Sequence, residues 1–167
     1  MTTKSSFEPV IHRDCWILIL GTLPGDKSLR LRQYYSNPRN QFWDILNQVY
    51  GEPVDASYEG RLAFLRDKRL AVWDVLSCAD RVGSLDGNIR NDVANDFAGL
   101  FKTYSGLSTV AFNGTRAKST FRRLVLKEQQ LKITLNLVTL PSSSVTPGRY
   151  VLPLKEKIAK WKAVLNP

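Results

Sequence analysis

The tightest constraint on the fold is a run of five apolar residues, Trp16-Ile17-Leu18-Ile19-Leu20, that breaks into the turn-forming segment Gly21-Thr22-Leu23-Pro24-Gly25. A continuous apolar run bounded by turn formers predicts a strand buried on both faces, as in a parallel sheet covered by helices. In such sheets ligands bind beyond the carboxyl ends of the strands. The two glycines let the backbone take a tight path there. The stretch Tyr34-Tyr35-Ser36-Asn37-Pro38-Arg39-Asn40-Gln41-Phe42-Trp43 then supplies rings, amides and cations at short spacing. This combination suits a flat polar ring beside a phosphate.

Further along, Phe42, Ile45, Leu46 and Val49 fall at helical spacing and predict a helix from near Pro38 that stops before Gly51, with Trp43 off the stripe. A second helix over 58–68 leads into an apolar run, 70–76, read as the second strand. Residues 77–91, polar and carrying Gly83 and Gly87, read as a long functional loop. A helix over 92–104 precedes a third strand, 109–112, that ends in Asn113-Gly114. Thr115 is the expected cap of the next helix, in which Ala117, Phe121, Leu124 and Val125 recur. Ile133, Leu135 and Leu137 alternate as a fourth strand ending at Leu140-Pro141, and 142–148 is a loop by composition. The last helix sets Leu154, Ile158, Trp161 and Leu165 on one face, with Lys155, Lys157, Lys160 and Lys162 around the others.

Strands alternating with helices predict an α/β fold, a single-domain three-layer sandwich with a central four-stranded parallel sheet flanked by helices. One domain is expected over 1–167, with 1–14 as a polar lead-in. Every predicted strand runs into a polar or Gly/Pro-rich loop, and parallel strands put all four loops on one edge. That edge is the predicted site.

Lys and Arg outnumber Asp and Glu, 24 to 15, for a formal net charge of +9, which favours polyanionic partners. Lys27, Arg30, Arg32 and Arg39 flank the first motif, and Arg116, Lys118, Arg122, Arg123 and Lys127 cluster later. Cys15 and Cys78 lack CxxC spacing, which excludes a thiolate zinc site or an iron–sulfur cluster. Free thiols in a reducing cytosol are expected. No stretch approaches the roughly 20 apolar residues of a spanning helix, and residues 1–6 lead into no apolar signal segment. A cytoplasmic chain without a membrane partner is expected.

Gly21-Thr22-Leu23-Pro24-Gly25, Pro38-Arg39-Asn40-Gln41-Phe42-Trp43 and Leu140-Pro141-Ser142-Ser143-Ser144, in this order, resemble the motifs of the uracil-DNA glycosylase superfamily, most closely its hypoxanthine (deoxyinosine) DNA glycosylase branch. Trp73-Asp74-Val75-Leu76 and Gly83-Ser84-Leu85-Asp86 are similar to that branch too, and the resemblance runs from about residue 16 to 161. It implies an enzyme that flips a deaminated base out of DNA and hydrolyses its bond to C1′, leaving an abasic site. Hypoxanthine from deoxyinosine is the implied substrate. Uracil or xanthine on the same fold, and an inactive nucleic-acid binding module, stand as alternatives. No metal or cofactor is implied. A monomer acting on DNA, nucleoid-associated in a prokaryote, is expected.

The resemblance also implies site residues. Leu23 stands where many relatives carry a water-positioning carboxylate or amide, so Asn40 becomes the catalytic candidate. An amide is no base at neutral pH, but it can orient water or hydrogen-bond the leaving base. Its alternative is a residue of the helix's first turn that bonds backbone. Tyr35 is implied to stack on the base, with Tyr34 as a substitute. Thr22, Leu23, Asp74 and Asn113 are implied to surround the base, Asp74 at its Watson–Crick edge. Gly25, Ser28, Ser142, Ser143, Ser144 and Arg149 are implied to contact DNA, with Arg149 or Tyr150 probing the gap left in the stack. Phe42 and Trp43 read as core. His12, the single histidine, precedes the first strand and is not expected in catalysis.

Overall fold

The computed structural model describes residues 2–147 and 151–165. Its centre is a parallel sheet in the order β3 (Leu70–Asp74), β2 (Ile17–Gly21), β6 (Thr109–Asn113), β7 (Asn136–Leu140). Every residue of β2 and β3 is buried, the environment an uninterrupted apolar strand requires. Leu20 lies in register with Trp73 and with Phe112, so these three side chains share a face. Phe97 of α4 (Phe97–Thr103) packs 5.3 Å from the Trp73 ring there, and Phe121 of α5 (Thr115–Phe121) 5.2 Å from Phe112. The other face carries α2 (Phe42–Tyr50) and α6 (Leu154–Leu165), where Phe42 meets Trp161 edge to face at 5.8 Å. α2 buries Phe42, Ile45, Leu46 and Val49 as their spacing predicts, and Trp43 is buried as well, under the Arg61 guanidinium.

The expected loop over 77–91 and the polar lead-in are corrected by a second, antiparallel sheet, β1 (Thr2–Ser5), β4 (Leu76–Arg81) and β5 (Arg90–Ala94), in the order β1-β4-β5. β1 runs in register from Thr2 opposite Arg81 to Ser5 opposite Cys78. Neither strand has an apolar alternation to reveal it, since β1 is polar and β4 turns an arginine inward. The apolar run 70–76 is divided between the two sheets at Val75, whose N–H donates to Gly21 O at 2.9 Å. The helix expected over 92–104 shrinks to α4 because Asp96 caps it, accepting from the Gly99 N–H. Ile133 and Leu135 pack on the core from irregular chain, and the fourth strand begins only at Asn136. Gly114, with φ of +100°, takes the cap position expected of Thr115, and a Cβ there would lie 3.1 Å from Ser142 Cβ. A short helix, α1 (Asp26–Leu31), and a 3₁₀ turn, Asp86–Asn88, stand where loop was expected. Lys157 belongs to the buried face of α6, not to its polar faces.

Candidate active site

Gly21, Asp74 and Asn113 follow Leu20, Trp73 and Phe112, so they turn to the opposite face of the sheet at its carboxyl edge. A Cβ on Gly21 would lie 2.6 Å from Asp74 Oδ1 and 3.2 Å from the Tyr35 hydroxyl. The missing side chain is what lets a carboxyl group and a phenol meet on the cavity floor. Asp74 is 4% exposed, and its Oδ2 accepts from the Ser6 hydroxyl at 3.2 Å. Burial pushes its pKa up to about 7, helped by the charge of Asp86 and opposed by Ser6 and Arg81. Burial, then the Asp74 charge, also raises the Tyr35 phenol. Asn113 is wholly engaged: Nδ2 donates to Tyr35 Oη at 3.0 Å and Ser143 Oγ at 2.8 Å, while Oδ1 accepts from the Ser143 N–H at 2.8 Å.

One wall is aromatic. Tyr35 has a left-handed backbone, φ +51°, unusual for a bulky side chain. Its ring stacks on Phe42 with centroids 3.8 Å apart and planes 9° apart. Phe42 therefore backs one face of Tyr35 as a rigid platform for a second flat ring. Tyr34 is buried, its hydroxyl donating to the Phe7 and Glu8 carbonyls at 3.2 Å, so it packs. Asn40 Oδ1 accepts from the Phe42 N–H at 3.0 Å, which uses one end of the amide to start α2 and holds the other in place beside the cavity.

The opposite wall is the Gly-Pro-Gly turn, fixed from behind. Gly21 O and Thr22 O accept from the Val75 and Leu76 N–H groups at 2.9 and 3.1 Å. Leu23 O and Pro24 O accept from the guanidinium of Arg81, which is fully buried. Four successive carbonyls thus point into the protein. Asp86 Oδ1 lies 3.7 Å from Arg81 Nη1, and Lys4 ties Asp26 to Gly83 O. Ser28 is buried, its hydroxyl held against Ser36.

The third wall is the serine loop after β7. Ser143 is fully buried, bonded to Asn113 on one side and through its carbonyl to the Gln41 N–H at 2.9 Å on the other. Ser142 is exposed and accepts from the Ser144 N–H. Behind the loop Lys157, 1% exposed, donates to Gln41 Oε1 and Ser144 O, both at 2.9 Å. Burial lowers its pKa. One ammonium thereby locks Gln41, between Asn40 and the start of α2, to the serine loop.

These walls enclose a cavity of about 630 Å³, within the usual range for a small-molecule pocket. Its lining brings together Thr22, Leu23, Gly25, Ser28, Tyr35, Asn40, Asp74, Asn113, Ser142, Ser143 and Ser144 from segments far apart in sequence. Arg149 and Tyr150 lie outside the described residues. Arg81 escaped the sequence reading, Asp86 stood there only as part of the Gly83–Asp86 resemblance without a role, and Lys157 was placed on a polar face. Lys157 was findable, since it sits four residues before Trp161 and three after Leu154, on the apolar stripe. Among the described residues no three His, Cys, Asp or Glu side chains are grouped to hold a metal ion, and no helix is long and apolar enough to cross a membrane.

Comparison with known proteins agrees with this geometry. The chain is 36% identical over 164 residues to a hypoxanthine DNA glycosylase of Methanosarcina acetivorans, covering 98% of each. It is 39% identical over 115 residues to one of Methanosarcina barkeri, covering 68% of this chain and 73% of that one. A solution NMR structure from Methanosarcina acetivorans, provisionally named a uracil DNA glycosylase, superimposes with a TM-score of 0.80 at 34% identity, over 98% of this chain and 97% of that one. No protein-family model matches.

Proposed function

The chain belongs to the hypoxanthine DNA glycosylase family, and from that membership we propose that it removes hypoxanthine from deoxyinosine in DNA by hydrolysing the bond from the base to C1′, leaving an abasic site. The observation that carries this reading is the single cavity in which an aromatic platform, a buried carboxyl group, an amide and a serine loop face one another. A base must leave the stack to be surrounded in this way, at a cost of a few kcal/mol.

In this reading the flipped base stacks on Tyr35. Asp74 meets the N1–H and C6=O edge, accepting from N1–H when ionised and donating to O6 when protonated. Asn40, anchored through Oδ1, orients the water or the leaving base through Nδ2. Thr22, Leu23 and Asn113 shape the pocket. Gly25, Ser142 and Ser144 are suited to phosphate contacts, while Ser28 and Ser143 hold the loops that make them. The surplus of cations favours the DNA backbone. We infer a single catalytic domain acting as a monomer in the cytoplasm, with no cofactor. Uracil is the second candidate base, because its N3–H and C4=O edge repeats the hypoxanthine pattern and a neighbouring fold carries that name.

The test is single-turnover incubation, with EDTA present, on labelled duplexes carrying deoxyinosine, deoxyuridine or deoxyxanthosine, followed by alkali. Faster cutting at deoxyinosine is expected, and Asn40→Ala should abolish it while DNA affinity persists. Cutting mainly at deoxyuridine would replace the substrate, and no cutting of any duplex would leave a binding module.

A further inference from the structure

Resting on the glycosylase reading, we propose that Asp86 is the catalytic carboxylate that orients the attacking water and takes its proton. Addition of water at C1′ releases a proton, and the amide of Asn40 is not a group that can accept it. No histidine lines the cavity, and its carboxylates are Asp26, Asp74 and Asp86. Asp26 is tied up in an ion pair with Lys4, whose hydrogen bond lowers its pKa and makes it the weaker proton acceptor. Asp74 lies on the floor against Gly21, four per cent exposed, where the base edge is placed. Asp86 stands on the wall with a side chain 38% exposed and no lysine ion pair among its described contacts.

Its surroundings suit the task. The carboxylate lies beside the Thr22 hydroxyl and within the field of Arg81 and Arg116, all of which favour its charged form. It lines the same cavity as Tyr35 and Asp74, and its charge raises the pKa of both. Arg81 binds Leu23 O and Pro24 O and approaches Asp86 at 3.7 Å, so one buried guanidinium registers the carboxylate against the glycine-bounded turn. Burial outweighs these cations and leaves the pKa raised, the direction that strengthens a general base.

The step balances. Water oxygen bonds to C1′ as one water proton passes to Asp86. The C1′–N9 bond breaks, its electron pair leaves with the base, and the base gains a proton from solvent to depart as neutral hypoxanthine. Asp86 then returns its proton to solvent.

The experiment compares wild type, Asp86→Asn and Asp86→Ala by single-turnover excision from a deoxyinosine duplex, by affinity for a non-cleavable analogue duplex and by thermal melting. Expected is a loss of about 100-fold or more in rate for both variants, with affinity and melting close to wild type. Added formate should recover rate in Asp86→Ala but not in Asp86→Asn, whose amide still fills the space. An Asn variant within about threefold of wild type, rate loss that travels with lost affinity or melting temperature, or an Ala variant deaf to formate each overturns the proposal. Failure of the wild type to cut any duplex instead overturns the glycosylase reading itself.

Discussion

Replacing Asp74 by Asn tests the electrostatics of the cavity floor with almost no change of shape. The carboxyl group is buried and its described partner is one hydroxyl, that of Ser6, and burial raises its pKa from 3.8 to about 7. That displacement corresponds to roughly 4 kcal/mol against ionisation in the folded state. Because the folded pKa lies above the unfolded one, the folded protein holds the extra proton between them. The contribution is fully present below about pH 3.8 and is lost as pH rises through about 7. Between pH 5 and 8.5 the wild type should therefore lose roughly 3 kcal/mol that the Asn variant does not lose. Urea unfolding of both proteins across this interval, with m-values checked for constancy, reads the difference directly. The variant should gain on the wild type up to about pH 7 and hold that gain above it. A difference that stays flat within about 0.5 kcal/mol would refute the claim that this carboxyl is paying for its burial by holding its proton.

Gly21→Ala should push a methyl carbon to within 2.6 Å of Asp74 Oδ1 and 3.2 Å of the Tyr35 hydroxyl. A loss of about 10-fold or more in excision with a destabilisation of about 1–3 kcal/mol is expected from such overpacking, and an unimpaired variant would show that the floor yields. Tyr35→Ala removes the platform on Phe42 and should weaken binding of a deoxyinosine duplex by about 1–3 kcal/mol. Equal weakening for undamaged duplex would mean that Tyr35 does not meet the flipped base. Lys157→Met leaves Gln41 Oε1 and Ser144 O without their donor and should slow single-turnover excision more than it weakens DNA binding. Net destabilisation of about 1–2 kcal/mol is expected, because two stranded acceptors outweigh the relief of no longer burying an ammonium. Unchanged excision would remove the lysine from any role in positioning Asn40.

The parallel sheet was legible because β2, β3 and β6 are apolar on both faces, and such strands declare themselves by composition alone. The antiparallel sheet was not. β1 is a polar edge strand whose pairing partner lies more than 70 positions away by register, from Thr2 with Arg81 to Ser5 with Cys78, and nothing local in Thr2–Ser5 encodes that distance. Reading 77–91 as loop and 92–104 as helix hid the hairpin that delivers Asp86 to the cavity wall, so the Gly83–Asp86 resemblance carried no role. Tyr35, Asn40 and the serine loop could be anticipated because each stands next to a motif at the end of an element. What the sequence pattern could not display was the division of labour inside a motif. Ser142 faces outward while Ser143, one residue on, is buried against Asn113, a difference set by a contact between the ends of β6 and β7.

The charge distribution shows how a pocket floored by carboxyl groups can belong to a protein that must approach a polyanion. The chain carries a surplus of nine positive charges, yet three aspartates line the cavity, and the charge of Asp86 adds to the resistance of Asp74 to ionisation. Fully ionised, both would repel the phosphates flanking an extruded nucleotide. Burial reduces the charge on Asp74 at neutral pH, and Arg81 and Arg116 offset that of Asp86. Arg81 acts on both carboxyl groups while holding the turn carbonyls, so its removal should couple three effects that independent residues would keep separate. Arg81→Met would ionise Asp74 less readily, free the Leu23–Pro24 peptides and leave Asp86 with less counter-charge. The fold thereby gathers its carboxyl groups into the cavity of a chain whose surplus charge is positive.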